Sequence, residues 1–235
     1  MKKTNSISIV LPAFNEEKII STIVSDIEEI SNKIANEYQI IIVNDGSTDR
    51  TGRISDDLAS KNKNIKVIHH LFNLGYGEAV KSGFYASEHQ WIVLFDSDGQ
   101  FDFKEISKFF ETQEKTDSDI VWGYTFNRKV SIMRKINTYL WSLIISRTFD
   151  IKLKWIDCGF RIFRKEVIEK IPVLESGRGA FISSEFLIKA KKYGFKISEV
   201  EVNHFSDSAG GSTGANLRVI FRSFIDLIRL YKKIK

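Results

Sequence analysis

Cysteine is nearly absent. Cys158 stands alone in 235 residues, so the chain forms no intramolecular disulfide and no Cys-rich zinc site. A reducing, cytoplasmic setting is the expectation. Long hydrophobic runs are missing as well: no stretch reaches the ~18 to 20 apolar residues that cross a bilayer, and the nearest, Leu140 to Ile145, is short and flanked by polar residues. The N-terminal apolar run, Ile7 to Phe14 with Ser8 inside it, is too short for a signal peptide, and export is not expected. No repeat, linker or low-complexity segment interrupts the chain. Two phosphate-binding signatures are incomplete too. Asn73 to Gly77 is not a Walker loop, and it lacks the third glycine and the following acid of a dinucleotide fingerprint.

What is present is 43% hydrophobic residues, enough for one domain with a substantial core. The net charge of +5 is unevenly spread. Asn216 to Lys235 carries six Lys or Arg against Asp226, and Arg128 to Lys154 carries seven against Asp150, which leaves the remaining chain acidic. The division expected is a catalytic domain over 1–215 and a basic amphipathic helix over 216–235. Nucleic acid is excluded as a partner, because the sequence has no groove-reading motif and no interleaved aromatic platform.

Short β-branched runs alternate with helical patterns through the first half. Ile7 to Leu11, Tyr38 to Val43, Ile65 to His69 and Trp91 to Phe95 read as strands, each followed by a loop and a helix. Between the first two, Ile19, Ile20, Ile23, Val24, Ile27, Ile30 and Ile34 recur at helical spacing, with Asn15 as the N-cap and Glu16 and Glu17 in the first turn. The second half predicts a helix from Ser131 to Phe149, a strand near Gly159 to Phe163, helices at Lys165 to Lys170 and Phe181 to Lys192, and a strand from Lys196 to Val202. The class is α/β, with a mostly parallel, doubly wound sheet flanked by helices. Such sheets bind ligands beyond the carboxyl ends of their strands.

Those ends are rich in polar and acidic residues. Asp96-Ser97-Asp98 leaves the strand WIVLF with Gly99 for a sharp turn. Mg²⁺ or Mn²⁺ takes one or two such carboxylates plus substrate phosphate oxygens, and stabilises charge on a departing diphosphate. The alternative is a pair of ordinary turn acids. Asp45 ends its strand where it accepts hydrogen bonds from a base N–H, or else it or Thr48 caps the next helix. Asn73, Gly75 and Gly77 let backbone amides approach a phosphate at a helix N-terminus. His204 reads as a diphosphate contact, whereas His69, His70 and His89 read as surface or strand-end residues.

Four ordered segments, ISIVLPAFNEE, VNDGSTDRT, NLGYGEAVKSGF and LFDSDGQ, together resemble the family 2 inverting glycosyltransferases, especially the dolichol-phosphate mannosyltransferase-like branch. The resemblance continues through WIDCGFRIFRKEV to AGGSTGANLRVIFRSF and covers nearly the whole chain. It implies the GT-A nucleotide-sugar fold. It also implies that Pro12, Phe14, Glu16 and Asp45 line the nucleotide, and that Asp96, Asp98 and Gln100 form the metal and diphosphate motif. Asp157 and Glu185 are the candidates for a base or a sugar-hydroxyl ligand, or else pair with Arg161, Arg164 or Lys189. Where relatives carry Arg in H-x-x-R-x-x-G, this chain has Asp207 after His204, which removes a phosphate-holding cation. Arg128 or Arg161 are its candidate substitutes.

The function expected is metal-dependent inverting transfer of a sugar from a UDP- or GDP-sugar to polyprenyl phosphate, with Asp98 essential. An ionised phosphate acceptor needs positioning and metal more than a base. The alternatives are a saccharide or protein acceptor, a nucleotidyltransferase, whose Gly-rich basic signature is missing, and a nucleotide-binding relative without turnover. A homo-oligomer is left open. In the tail, Leu217, Ile220, Phe221, Phe224, Ile225, Ile228 and Tyr231 share one helical face beside basic residues. Leu140, Trp141, Leu143, Ile144 and Ile145 lie similarly beside Arg134, Lys135 and Arg147. Both helices then rest on anionic lipid at the inner face of the cell membrane, or pack these faces on the domain and leave solvated basic faces.

Overall fold

Near-continuous apolar runs belong to strands covered on both faces, and the centre of the sheet is built from them. The computed structural model describes residues 4–125, 132–177, 179, 181–205 and 217–234. Strands β1 (Thr4–Ala13), β2 (Ala35–Asn44), β3 (Ile65–His69) and β4 (Trp91–Phe95) lie parallel, with β1 paired to both β2 and β4. Every residue of β4 is buried. So are Ile9 to Leu11 of β1 and Ile40 to Val43 of β2.

Helix α1 (Ile20–Ile34) buries Ile20, Ile23, Val24, Ile27 and Ile30, the face its spacing predicts. Its start differs from the expectation. Asn15 is not the N-cap; it sits in the left-handed region at φ 60°, and its side-chain oxygen accepts the Thr48 amide at 2.8 Å. Glu16 and Glu17 consequently precede the helix, and the Glu16 carbonyl accepts the amides of Ile19 and Ile20. An asparagine that bonds a distant turn has no oxygen left for its own helix. Helix α2 (Thr51–Lys61) starts on Asp49, whose carboxylate accepts the Thr51 amide at 2.9 Å.

After α3 (Tyr76–Tyr85) and β4, a short 3-10 turn leads into α4 (Ile106–Thr116) and β5 (Ile120–Tyr124). Helix α4 is the helix expected after the fourth strand, whereas no strand is expected at β5. Helix α5 (Ile132–Phe149) precedes β6 (Phe160–Arg164), which runs antiparallel between β4 and β5. Helices α6 (Lys165–Lys170) and α7 (Phe181–Lys192) follow, then edge strand β7 (Ile197–Glu201) and helix α8 (Leu217–Ile234). The sheet order is β3-β2-β1-β4-β6-β5-β7. Chain direction of build-up reverses between β1 and β4, and ligands of doubly wound sheets bind at such a switch point, beyond the strand carboxyl ends.

The two basic helices pack side by side: the Trp141 ring of α5 meets Phe224 of α8 at 5.3 Å, and Phe149 meets Tyr231 at 6.0 Å. Helix α8 buries Leu227 and Leu230, residues outside the stripe read from the sequence, and leaves Phe224, Ile228 and Tyr231 exposed. Helix α5 buries Ile145 but exposes Ile136, Tyr139, Leu140 and Leu143. The side chains of Arg134, Lys135, Leu217, Ile220 and Phe221 lie outside the described residues. No described helix is long and apolar enough to cross a membrane.

Candidate active site

The exits of β1 and β4 are tied together at the switch point. Ser97 donates its hydroxyl to the Pro12 carbonyl at 2.6 Å, which holds the Asp96–Asp98 turn beside β1. Gly99 takes φ 74° to close that turn, and the Gln100 amide donates to Asp98 Oδ1 at 3.0 Å. Asp96 is gripped from two directions. Its Oδ1 accepts the Tyr76 hydroxyl at 2.8 Å, and its amide donates to the Gly159 carbonyl at 3.0 Å. A Cβ at Gly159 would stand 1.8 Å from Asp96 Oδ2, so only glycine fits there. Burial and then the Asp96 charge push the Tyr76 phenol well above its ordinary pKa, with Arg161 opposing, so it stays protonated and donates.

Asp96 and Asp157 face one pocket, which Gln100, Trp155, Thr125 and His204 also line. Gln100 does not point its amide oxygen at the acids; that oxygen accepts from His204 Nε2 at 2.8 Å, and the Gln100 carbonyl accepts the Phe205 amide. His204 thus stands in the pocket wall as a partner of the acidic turn. Asp207, and with it the H-x-x-R-x-x-G comparison, lies outside the described residues, as does Arg128.

Among the described residues no group of three or more His, Cys, Asp or Glu converges as a metal cage. A Mg²⁺-type ion asks for less: one or two carboxylates, with water and substrate phosphate completing its shell. Two carboxylates from one turn, one of them fixed on both sides in a pocket wall, fit that partial set.

The nucleotide candidates form the other half of the crevice. Asp45 is almost fully buried, and its two oxygens accept the amides of Leu74 and Gly75, each at 2.9 Å. It therefore anchors the entry to α3 rather than capping α2. His70 directly follows β3, as a strand-end residue would, but it is not a surface residue. Its ring is nearly buried, with Nδ1 2.7 Å from Asp45 Oδ1 and Nε2 2.9 Å from the Ser82 hydroxyl. Buried polar side chains need partners, and these two complete each other. Pro12 is buried in β1, Phe14 is exposed, and Glu16 offers its amide to the Thr51 hydroxyl at 2.8 Å. Gly75 takes φ 100° ahead of α3, while Asn73 is exposed.

Glu185 stands apart from the pocket wall. It is 1% exposed, with Lys189 Nζ at 2.6 Å and the amides of Glu175 and Ser176 at 2.8 Å each; the Ser176 hydroxyl donates to it as well. Burial raises its pKa, but the bonds from Lys189 and Ser176 outweigh that and the net shift is downward. This is the ion-pair alternative, not the arrangement of a base. Arg161 is wholly buried behind the pocket, with Nη1 2.8 Å from the Ser183 hydroxyl and its guanidinium 4.2 Å over the Trp122 ring. Burial lowers its pKa, and the neighbouring Tyr76 and the Asp96 carboxylate oppose that shift.

Sequence reasoning missed Tyr76, Ser97, Thr125, Trp155 and Gly159. Tyr76 lies inside the NLGYG segment and Gly159 inside WIDCGF, so both sat in motifs quoted for other residues. Trp155 opens that same WIDCGF segment, and nothing local marks Thr125.

Residues 8–172 match the family described as Glycosyl transferase family 2. A dolichyl-phosphate beta-glucosyltransferase of Dictyostelium discoideum is 30% identical over 215 residues, covering 84% of this chain and 65% of that protein. An undecaprenyl-phosphate 4-deoxy-4-formamido-L-arabinose transferase of Proteus mirabilis is 26% identical, covering 93% and 66%. The chain thus spans about two thirds of the length of these two relatives. Glucosyl-3-phosphoglycerate synthase from Mycobacterium tuberculosis, crystallised with Mn²⁺, UDP-glucose and phosphoglyceric acid, superposes with a TM-score of 0.69 at 18% identity, covering 98% of this chain and 79% of that one. The fold is accordingly the GT-A fold. With the family match over most of its length and the acidic turn at the switch point, the chain belongs to glycosyl transferase family 2 and is a glycosyltransferase.

Proposed function

We propose that the chain is a metal-dependent inverting transferase that moves a sugar from a UDP- or GDP-sugar to polyprenyl phosphate at the inner membrane face. The observation that carries this is the Asp96–Asp98 turn, locked to β1 through Ser97 and opening on the same pocket as Asp157. The named acceptors of the Dictyostelium and Proteus relatives, and the Mn²⁺ and UDP-glucose bound by the Mycobacterium enzyme, support it. Asp96 and Asp98 hold the ion, and Gln100 and His204 brace the turn from below. When bound, Mg²⁺ or Mn²⁺ neutralises charge on the departing diphosphate. Pro12, Phe14, Glu16, Asp45, Asn73 and Gly75 line the nucleotide side. The acceptor phosphate, already ionised near neutral pH, attacks the anomeric carbon opposite the leaving group, so positioning outweighs proton removal. Asp157 then orients sugar hydroxyls from the facing wall.

The test is a panel of UDP- and GDP-sugars with Mn²⁺ and a short polyprenyl phosphate, following nucleotide release and lipid-linked sugar together. Lipid product from one donor is expected. Nucleotide release without lipid product would move the acceptor elsewhere, and no release from any donor would sink the transferase reading.

Residues 216–235 serve in this proposal as a membrane-surface helix beside α5. Ile136, Tyr139, Leu140 and Leu143 of α5 and Phe224, Ile228 and Tyr231 of α8 leave an exposed apolar surface, with Arg147, Arg229, Lys232 and Lys233 nearby in the same helices. Grouped exposed apolar side chains with basic neighbours suit an anionic interface. Binding to phosphatidylglycerol vesicles is expected and should weaken with salt. The double change Leu140→Glu and Ile228→Glu should weaken it about tenfold or more, because each removes apolar contact and adds repulsion. Co-sedimentation measures this, and an unchanged melting temperature separates it from misfolding.

A further inference from the structure

Tyr76 has a role that neither the sequence motifs nor the family match assigns to it. It opens α3, and its backbone is held from two sides. Upstream, the amides of Leu74 and Gly75 are fixed on the Asp45 carboxylate. Downstream, the Glu78 amide donates to the Gly177 carbonyl at 2.8 Å, and a Cβ on Gly77 would meet that same carbonyl at 2.5 Å. From this clamped position the phenol hydroxyl reaches Asp96 Oδ1 at 2.8 Å. The other oxygen of Asp96 is packed against Gly159. The carboxylate therefore has one orientation available, and the phenol sets it.

We propose that Tyr76 is a positioning residue for the metal-binding turn, orienting Asp96 and linking it through Leu74 and Gly75 to Asp45 on the nucleotide side. A carboxylate that binds a metal is tuned by the hydrogen bond on its outer side, and losing such a partner costs about 10- to 100-fold in metal affinity or activity.

This inference rests on the metal reading above, and Tyr76→Phe tests it while keeping the ring and its packing. Mn²⁺ is titrated into the full chain by electron paramagnetic resonance, with and without saturating UDP, and again with GDP. The wild type is expected to bind Mn²⁺ more tightly with nucleotide present. Tyr76→Phe is expected to bind it about 10- to 100-fold more weakly with and without nucleotide, and to regain kcat at high Mn²⁺ with an unchanged melting temperature. A wild type that binds no Mn²⁺ with either nucleotide overturns the metal reading and this inference with it. A wild type that binds and a Tyr76→Phe variant within twofold of it overturns the role of Tyr76 alone. A variant whose loss is not relieved by excess Mn²⁺ also overturns it, since a general structural defect would behave that way.

Discussion

Asp98→Ala is expected to abolish sugar transfer, with kcat falling by about 10³-fold or more. The metal on this turn supplies several kcal/mol of charge stabilisation to the leaving diphosphate, and each 1.36 kcal/mol is tenfold in rate. Little of that can be recovered elsewhere. Asp96 is one carboxylate with its orientation already fixed by Tyr76 and Gly159, Gln100 has its amide oxygen on His204, and no third His, Cys, Asp or Glu converges among the described residues. Stability should hardly change, since Asp98 is half-exposed and the hydrogen bond it accepts from the Gln100 amide closes its own turn. Removing metal from the wild type with a chelator should reproduce the loss reversibly. Initial rates of nucleotide release measure both; turnover unchanged in Asp98→Ala, or insensitive to chelation, would end the metal mechanism.

The contrast between Asp98 and its neighbours shows where a sequence is readable. A strand buried on both faces must be apolar throughout, so Trp91 to Phe95 announces itself, and the acidic turn that follows a central strand stands out against it. The helical stripe of α1 is as plain. Local pattern loses its hold wherever two distant segments compete for one side chain. Asn15 looks like a helix cap until Thr48, 33 residues away, takes its oxygen. His70 looks like a surface residue at a strand end until Asp45 and Ser82 enclose it. Tyr76 and Gly159 act on Asp96 across long separations that no spacing rule covers. In α8 the amphipathic pattern was legible but its orientation was not. Leu227 and Leu230 are the residues that end up buried, and helical periodicity says nothing about where the neighbours lie. Strand β5 escaped notice because Ile120 to Tyr124 is five residues with no alternation, all but the last buried.

Glu185→Ala is expected to cost about 3–5 kcal/mol, the usual result of breaking a buried ion pair from one side. The loss is larger than a single contact because this carboxylate gathers four donors. Lys189 Nζ would keep only the Val173 carbonyl, at 2.6 Å, and the amides of Glu175 and Ser176 would be left without an acceptor. Replacing both partners with apolar residues would not restore stability, since the orphaned amides belong to the loop. That loop packs its Gly177 carbonyl on the first turn of α3, so its loosening reaches Tyr76. The pH dependence has a definite sign. The folded-state pKa is depressed, so the contribution is complete above the ordinary glutamate range and is lost as pH falls through the lower folded value. Urea unfolding of wild type and variant, at neutral pH and at about pH 3, measures both: the gap between them should narrow in acid. The same measurement separates support from catalysis. A Glu185→Ala chain as stable as the wild type but without turnover would make Glu185 the base, whereas an unstable chain that still turns over when folded at low temperature leaves the chemistry to the acids around Asp98.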